Sequence, residues 1–197
     1  MNNRRVKSKV LIAFLVFAVC LPLSTATAKP KSGSTFQTAE VHTFPGAPLE
    51  TTSGGTLLRK KGEVWARLAM HGLEPDSAYT AWWVVFNKPE NCAGGFGNCG
   101  PGDFGPAEAS ILNATGFVTS GTGSANATAH LRDKSPPSGL QVEFGDGLKK
   151  GHGHKAELHM LFLWHGPVAD LLGFVSEHIA FTAGGVPQYG IAFPPVD

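Results

Sequence analysis

The chain has little cysteine, little tyrosine and no apolar run of membrane length: three Cys and two Tyr stand among 197 residues. The longest apolar stretch, residues 10–23, falls short of the ~20 residues a membrane helix needs, and no transmembrane span is expected in the mature chain. Charge is nearly balanced, with 16 Lys and Arg against 15 Asp and Glu, and no basic stripe points to nucleic acid. The G-x-S-x-G elbow, the P-loop and the zinc-protease helix signature are all missing, so no catalytic residue and no organic cofactor is nominated. A long amphipathic helix pattern is also missing beyond the first thirty residues, which argues against a helical bundle.

What is present begins with a leader. Arg4, Arg5, Lys7 and Lys9 precede the apolar centre, and small residues follow at Ala26-Thr27-Ala28. This three-part layout reads as a secretory signal over residues 1–28, cleaved after Ala28, with Cys20 discarded inside it. The expected location is secreted or periplasmic. Residues 29–45 are expected to be a flexible N-terminal segment, with a first strand starting near Thr35, and residues 46–197 one domain. The ~170 residues left after cleavage suit a single core.

The domain is organised around Trp82-Trp83-Val84-Val85-Phe86, the most apolar run after the leader. Apolarity on both faces marks a central strand covered on both sides. Before it, Val64, Ala66, Leu68 and Met70 alternate with Trp65, Arg67 and Ala69, the period of two that a strand requires. The turn Gly72-Leu73-Glu74-Pro75 with Tyr79-Thr80 follows a pattern common between strands of a sandwich, its Leu and Tyr turned inward. Further strands are expected over residues 108–118, 121–131 and 140–144, and over 155–165, where Gly166-Pro167 should end the strand. One helical turn is expected near Ala169 and a last strand over 177–182. Residues 57–62 read as a short edge segment, and the Pro-rich tail from Val186 as irregular. The expected fold is an all-β antiparallel sandwich of seven or eight strands with one long loop, residues 87–106.

Cys92 and Cys99 flank a glycine-rich segment, and in an oxidising compartment they are expected to form a disulfide that staples this loop. Metal chemistry would fall to histidine and carboxylate: the His152-Gly153-His154 pair, and Glu157, His159 and His165 on one face of a strand. Such a set suits copper or zinc, although His159 and His165 lie about 20 Å apart along a straight strand. Trp82 and Trp83 face opposite ways, so one is expected in the core while the other joins Asn87 in a ligand rim.

The blocks Gly72-Leu73-Glu74-Pro75, Ala78-Tyr79-Thr80, Trp82 to Asn87, Pro89 and Cys92, with the later Ala156-Glu157-Leu158-His159 and His165-Gly166-Pro167, resemble a family of secreted bacterial proteins that has no established activity. The resemblance runs from about Gly62 onward and implies secretion and little chemistry. At the level of architecture alone, the chain is similar to copper/zinc superoxide dismutase-like and chordin-repeat sandwiches, whose metal-site histidines it lacks as a clear set.

These features favour a secreted, non-catalytic binding module. A copper- or zinc-binding protein and a module bound to polysaccharide or an envelope component are the rivals. For the two cysteines the expected outcome is definite: thiol titration of denatured, unreduced mature protein finds no free thiol. Replacing both with Ser is expected to loosen the loop without unfolding the domain, because a short loop carries little closure entropy.

Overall fold

The computed structural model describes residues 33–43, 53–95, 97–133, 142–173, 175–176 and 185–196. The leader and the strand expected over 177–182 lie outside the described residues. Ten strands are described: β1 (Ser34–Glu40), β2 (His42–Thr43), β3 (Gly54–Lys60), β4 (Glu63–Met70), β5 (Ser77–Phe86), β6 (Ala109–Val118), β7 (Ala125–Arg132), β8 (Val142–Phe144), β9 (Glu157–Pro167) and β10 (Val186–Phe193). They form two sheets, ordered β1-β3-β4-β7 and β2-β10-β9-β5-β6-β8. Every pairing is antiparallel. The chain is an all-β sandwich, as its alternating pattern implies.

Alternation explains the core. Leu57, Val64, Ala66, Leu68 and Met70 of the four-stranded sheet meet Tyr79, Trp83, Val85, Leu158, Met160, Phe162 and Ile191 of the six-stranded sheet. Ala125, Ala127 and Ala129 give β7 a small inward face in the same cluster. Leu73 and Tyr79 turn inward as the turn pattern implies, and the Tyr79 hydroxyl reaches Gln188 Oε1 at 3.0 Å. All ten residues of β5 are buried. Its odd-numbered side chains fill the space between the sheets. Its even-numbered Val84 and Phe86 pack outward against Cys92 and Cys99 of the stapled loop and against Ala107 and Ala109, where the chain enters β6.

Four expectations change. Residues 57–60 belong to an inner strand, because β3 pairs with β1 on one side and β4 on the other. The segment assigned to 29–45 as flexible holds β1, the strand expected from about Thr35, which pairs residue for residue with β3 from Ser34. Gly166 and Pro167 stay within β9, opposite Ala78 and Ser77, because Pro can sit at a strand end. The tail is a strand: β10 pairs with β9 and β2, and its register shifts between Pro187 and Tyr189. A bulge at a proline absorbs the missing N–H, which the sequence pattern disguised as irregularity. With β2 and β10 included, the count exceeds the seven or eight expected.

One charged residue lies inside the sandwich. Arg59 shares the inward side of β3 with Leu57 and is fully buried. Its Nε donates to Gln37 Oε1 on β1. Its Nη1 donates to the Gly153 and Ala156 carbonyls at 3.0 and 2.9 Å, and its Nη2 to those of Phe193 and Pro194 at 2.9 Å each. All five guanidinium donors are used. The backbone of Gly153 comes so close that a Cβ there would overlap the Lys60 carbonyl oxygen. Burial lowers the Arg59 pKa to about 10, against the opposing pull of the Glu157 charge, so the group stays protonated at neutral pH.

Arg59→Met is expected to destabilise the domain by about 3–5 kcal/mol in urea denaturation, because it orphans the buried carbonyls of Gly153, Ala156 and Phe193. Arg59→Lys should recover only part of that, since an ammonium has three donors. A loss below about 1 kcal/mol for the Met variant would contradict the role assigned to this side chain.

Candidate ligand-binding face

The residues nominated from sequence divide between buried anchors and separate positions. Trp82 and Trp83 point to opposite faces as expected, but both are buried, at 2% and 0% exposure, so neither offers an aromatic platform. The Trp82 Nε1–H donates to Thr80 Oγ1 at 2.9 Å, and Thr80 Oγ1 lies 2.8 Å from His165 Nε2. Asn87 is buried instead of forming a rim. Its Nδ2 donates to the Glu108 and Gly147 carbonyls, and its Oδ1 accepts from the Lys149 N–H. It thereby clamps the segment around Gly147 to the start of the stapled loop.

Glu157 and His159 meet, with His159 Nε2 at 2.6 Å from Glu157 Oε1. The Glu157 carboxylate is fully buried and also accepts the Cys99 N–H at 2.9 Å and the Gly97 N–H at 2.6 Å. The pair is a peg for the loop that holds the Cys92–Cys99 disulfide. Burial pushes the Glu157 carboxyl up. The hydrogen bonds from His159, Cys99 and Gly97 and the His159 charge outweigh it and leave the pKa below its ordinary value. Asp103 is a second peg, accepting the Ala93 and Gly100 N–H groups at 2.9 and 2.8 Å.

The other histidines stand apart from this pair. His159 faces Val84, whereas His165 bonds Thr80, four residues away on β5, about 13 Å along the strand. His152 is half-buried with its Nδ1 at 2.9 Å from the Asn87 carbonyl, and His154 is half-buried with Nε2 unpartnered. The His152-Gly153-His154 segment is thus packed against the fold and not an open chelating loop. Among the described residues, no three His, Cys, Asp or Glu side chains converge as a metal site. His159, His165, Glu157, His152 and His154 therefore do not form the joint copper or zinc site that their types suggested.

The open surface is the outer face of the four-stranded sheet. Strand register lines up Phe36, Leu58, Trp65 and His130 in one row across β1, β3, β4 and β7. Phe36 is 61% exposed and Trp65 41%. The Trp65 and His130 rings stack, with centroids 3.6 Å apart and planes within 11°. Glu63, one position along, holds this arrangement: one oxygen takes His130 Nε2 at 2.9 Å and the other takes Lys60 Nζ at 2.7 Å. Hydrogen bonds from Lys60 and His130 keep the Glu63 carboxyl down at about 2. On the other side of the aromatic row, register aligns Thr38, Thr56, Arg67 and Thr128. Phe36, Leu58, Trp65, Arg67 and Thr128 line a groove of about 570 Å³ between these rows. A larger cleft of about 840 Å³, bounded by Ser34, Glu90, His154, Lys155 and residues 194–196, has no Phe, Tyr or Trp among its described lining residues.

The alternation of β4 put Trp65 and Arg67 on the outward side, and that of β7 did the same for Thr128 and His130. Their alignment depends on strand pairing, which no local pattern states. Comparison of the chain with protein-family models, with curated proteins and with solved structures finds no match.

The Glu157 peg has a pH consequence. Its pKa is depressed in the folded chain, so its stabilisation is present above the ordinary carboxyl value of about 4.3 and disappears as pH falls through the folded value. Protection of the Gly97 and Cys99 amides from exchange, corrected for intrinsic rate, should fall over that acidic range. Glu157→Gln should lower protection already at pH 7, and unchanged protection in that variant would remove Glu157 as the peg.

Proposed function

We propose that the protein is a secreted, non-catalytic binding module that holds polysaccharide or a carbohydrate component of the cell envelope on the outer face of its four-stranded sheet. The observation that carries this reading is the row Phe36–Leu58–Trp65–His130, in which Phe36 and Trp65 are exposed and Leu58 and His130 half-buried. At ~4.8 Å between strands the row runs about 14 Å, room for an extended chain to lie across it. Aromatic rings present a flat apolar surface to the C–H face of a sugar, and exposed tryptophan is otherwise costly in contact with water. The threonine row alongside supplies hydroxyls that donate and accept, matching the hydroxyl-rich rim of a sugar.

Several features make the face a prepared surface. The stack of His130 on Trp65, with Glu63 bonded to His130, limits the motion of both rings, so less freedom is lost when a ligand lands. Secretion is supported by the leader pattern and by the Cys92–Cys99 bridge, which suits an oxidising compartment. The resemblance to a secreted bacterial family agrees with that placement.

Affinity electrophoresis through gels containing neutral and charged polysaccharides tests the reading. Retardation is expected in at least one gel. Trp65→Ala should weaken it by about tenfold or more, equivalent to ~1.4 kcal/mol, while urea stability moves by no more than about 0.5 kcal/mol. Binding that survives Trp65→Ala undiminished, or no retardation by any polysaccharide, would sink the proposal.

A further inference from the structure

Beside the aromatic row stands a cation with no counter-charge beside it among the described residues. Arg67 is exposed on β4, two residues from Trp65 and therefore on the same side of the strand. Its register neighbours are Thr56 on β3 and Thr128 on β7, with Thr38 beyond on β1, none of them charged. Of the carboxylates on this face, Glu63 is occupied by Lys60 and His130, and Glu40 lies in a different row, opposite Gly54. Arg67 makes no ion pair among the described residues. It also lines two adjoining hollows of the same face, one shared with Phe36 and Trp65 and one with Thr38 and Asn126.

We infer that the ligand of this face is an acidic polysaccharide, in which a sugar ring stacks on Trp65 while the carboxylate of a uronic-acid unit is received by the Arg67 guanidinium. This inference rests on the platform reading above and adds the charge of the ligand. Successive same-side residues on a strand lie about 6.6 Å apart, which puts the guanidinium within reach of a substituent on a ring held at Trp65. A planar fork of N–H donors matches a carboxylate in two parallel hydrogen bonds, a geometry that a lysine does not reproduce. Thr56 and Thr128 flank Arg67 with hydroxyls for the neighbouring sugar oxygens. The charge balance of the face points the same way, with Lys60, Arg67 and Arg132 set against Glu63 and the remote Glu40.

Calorimetric titration of the mature protein with three probes decides the matter: oligogalacturonate, the same oligosaccharide with its carboxylates methyl-esterified, and a neutral cello-oligosaccharide. The acid should bind at least about tenfold more tightly than the ester. Arg67→Ala should abolish that preference and change binding of the ester and the neutral sugar by less than about twofold. Arg67→Lys should recover only part of the loss. Lys150→Ala, an exposed charge in the segment after β8 and off this sheet, should change nothing. An acid preference that survives Arg67→Ala, or one lost equally in Lys150→Ala, overturns the Arg67 site. Equal binding of acid and ester that Trp65→Ala abolishes overturns the acidic ligand and leaves the platform standing. If none of the three probes binds, this inference falls, and the platform reading is then judged by its own gels.

Discussion

A single guanidinium inside the sandwich fixes how its two sheets meet at one end. Arg59 projects inward from β3, where the strand alternation calls for an apolar residue, and its burial is tolerable only because every donor has an acceptor. Four of those acceptors are backbone carbonyls from the segment before β9 and from the end of β10, and the fifth is the Gln37 side chain on β1. The outermost strand of one sheet, the entry to β9 and the last strand thus converge on one side chain. Phe193 and Pro194 lie 134 and 135 residues from Arg59 in sequence, so these bonds close only when segments remote from one another have come together. The charge of Glu157, placed just after Ala156, favours the protonated guanidinium and links this end of the core to the pegged loop.

The outer faces of the two sheets are treated differently. β5 is apolar on both sides, so the six-stranded sheet needs a cover beyond the partner sheet. Residues of the stapled loop supply it where Phe86 meets Cys92 and Cys99. A loop so rich in glycine has little tendency to hold a shape, and the disulfide alone constrains only eight residues. Its position comes from buried acceptors, Glu157 and Asp103, which take its N–H groups, and from Asn87, which fastens its start. The loop is therefore structural, and the carboxylate and imidazole that resembled metal ligands serve as its anchors.

Among the described residues, the four-stranded sheet has no such cover over its central strands. Its outer face keeps an aromatic row beside a hydroxyl and guanidinium row, and Glu63 acts as the node between Lys60 and the stacked His130. Half-exposed ion pairs of this kind contribute little to folding. They do hold the Trp65 and His130 rings in one orientation.

The all-β class, the central place of β5, the inward turn of Leu73 and Tyr79 and the pairing of Cys92 with Cys99 were legible in the residue pattern. Each depends on local periodicity, turn chemistry or a short separation along the chain. The tail strand was hidden because Pro187 breaks the pattern that β10 otherwise follows, and Arg59 was hidden because a charge on the inward side of a strand contradicts its alternation. The candidate site was half legible. Period two put Trp65, Arg67, Thr128 and His130 on outward faces, whereas Trp82 and Asn87 looked available and are buried. By itself the sequence determined which side of each strand a residue occupies, since the pleat follows from backbone geometry alone. Only the tertiary structure decided which sides are covered and which residues stand in one row, because register and packing depend on pairings between segments far apart in the chain.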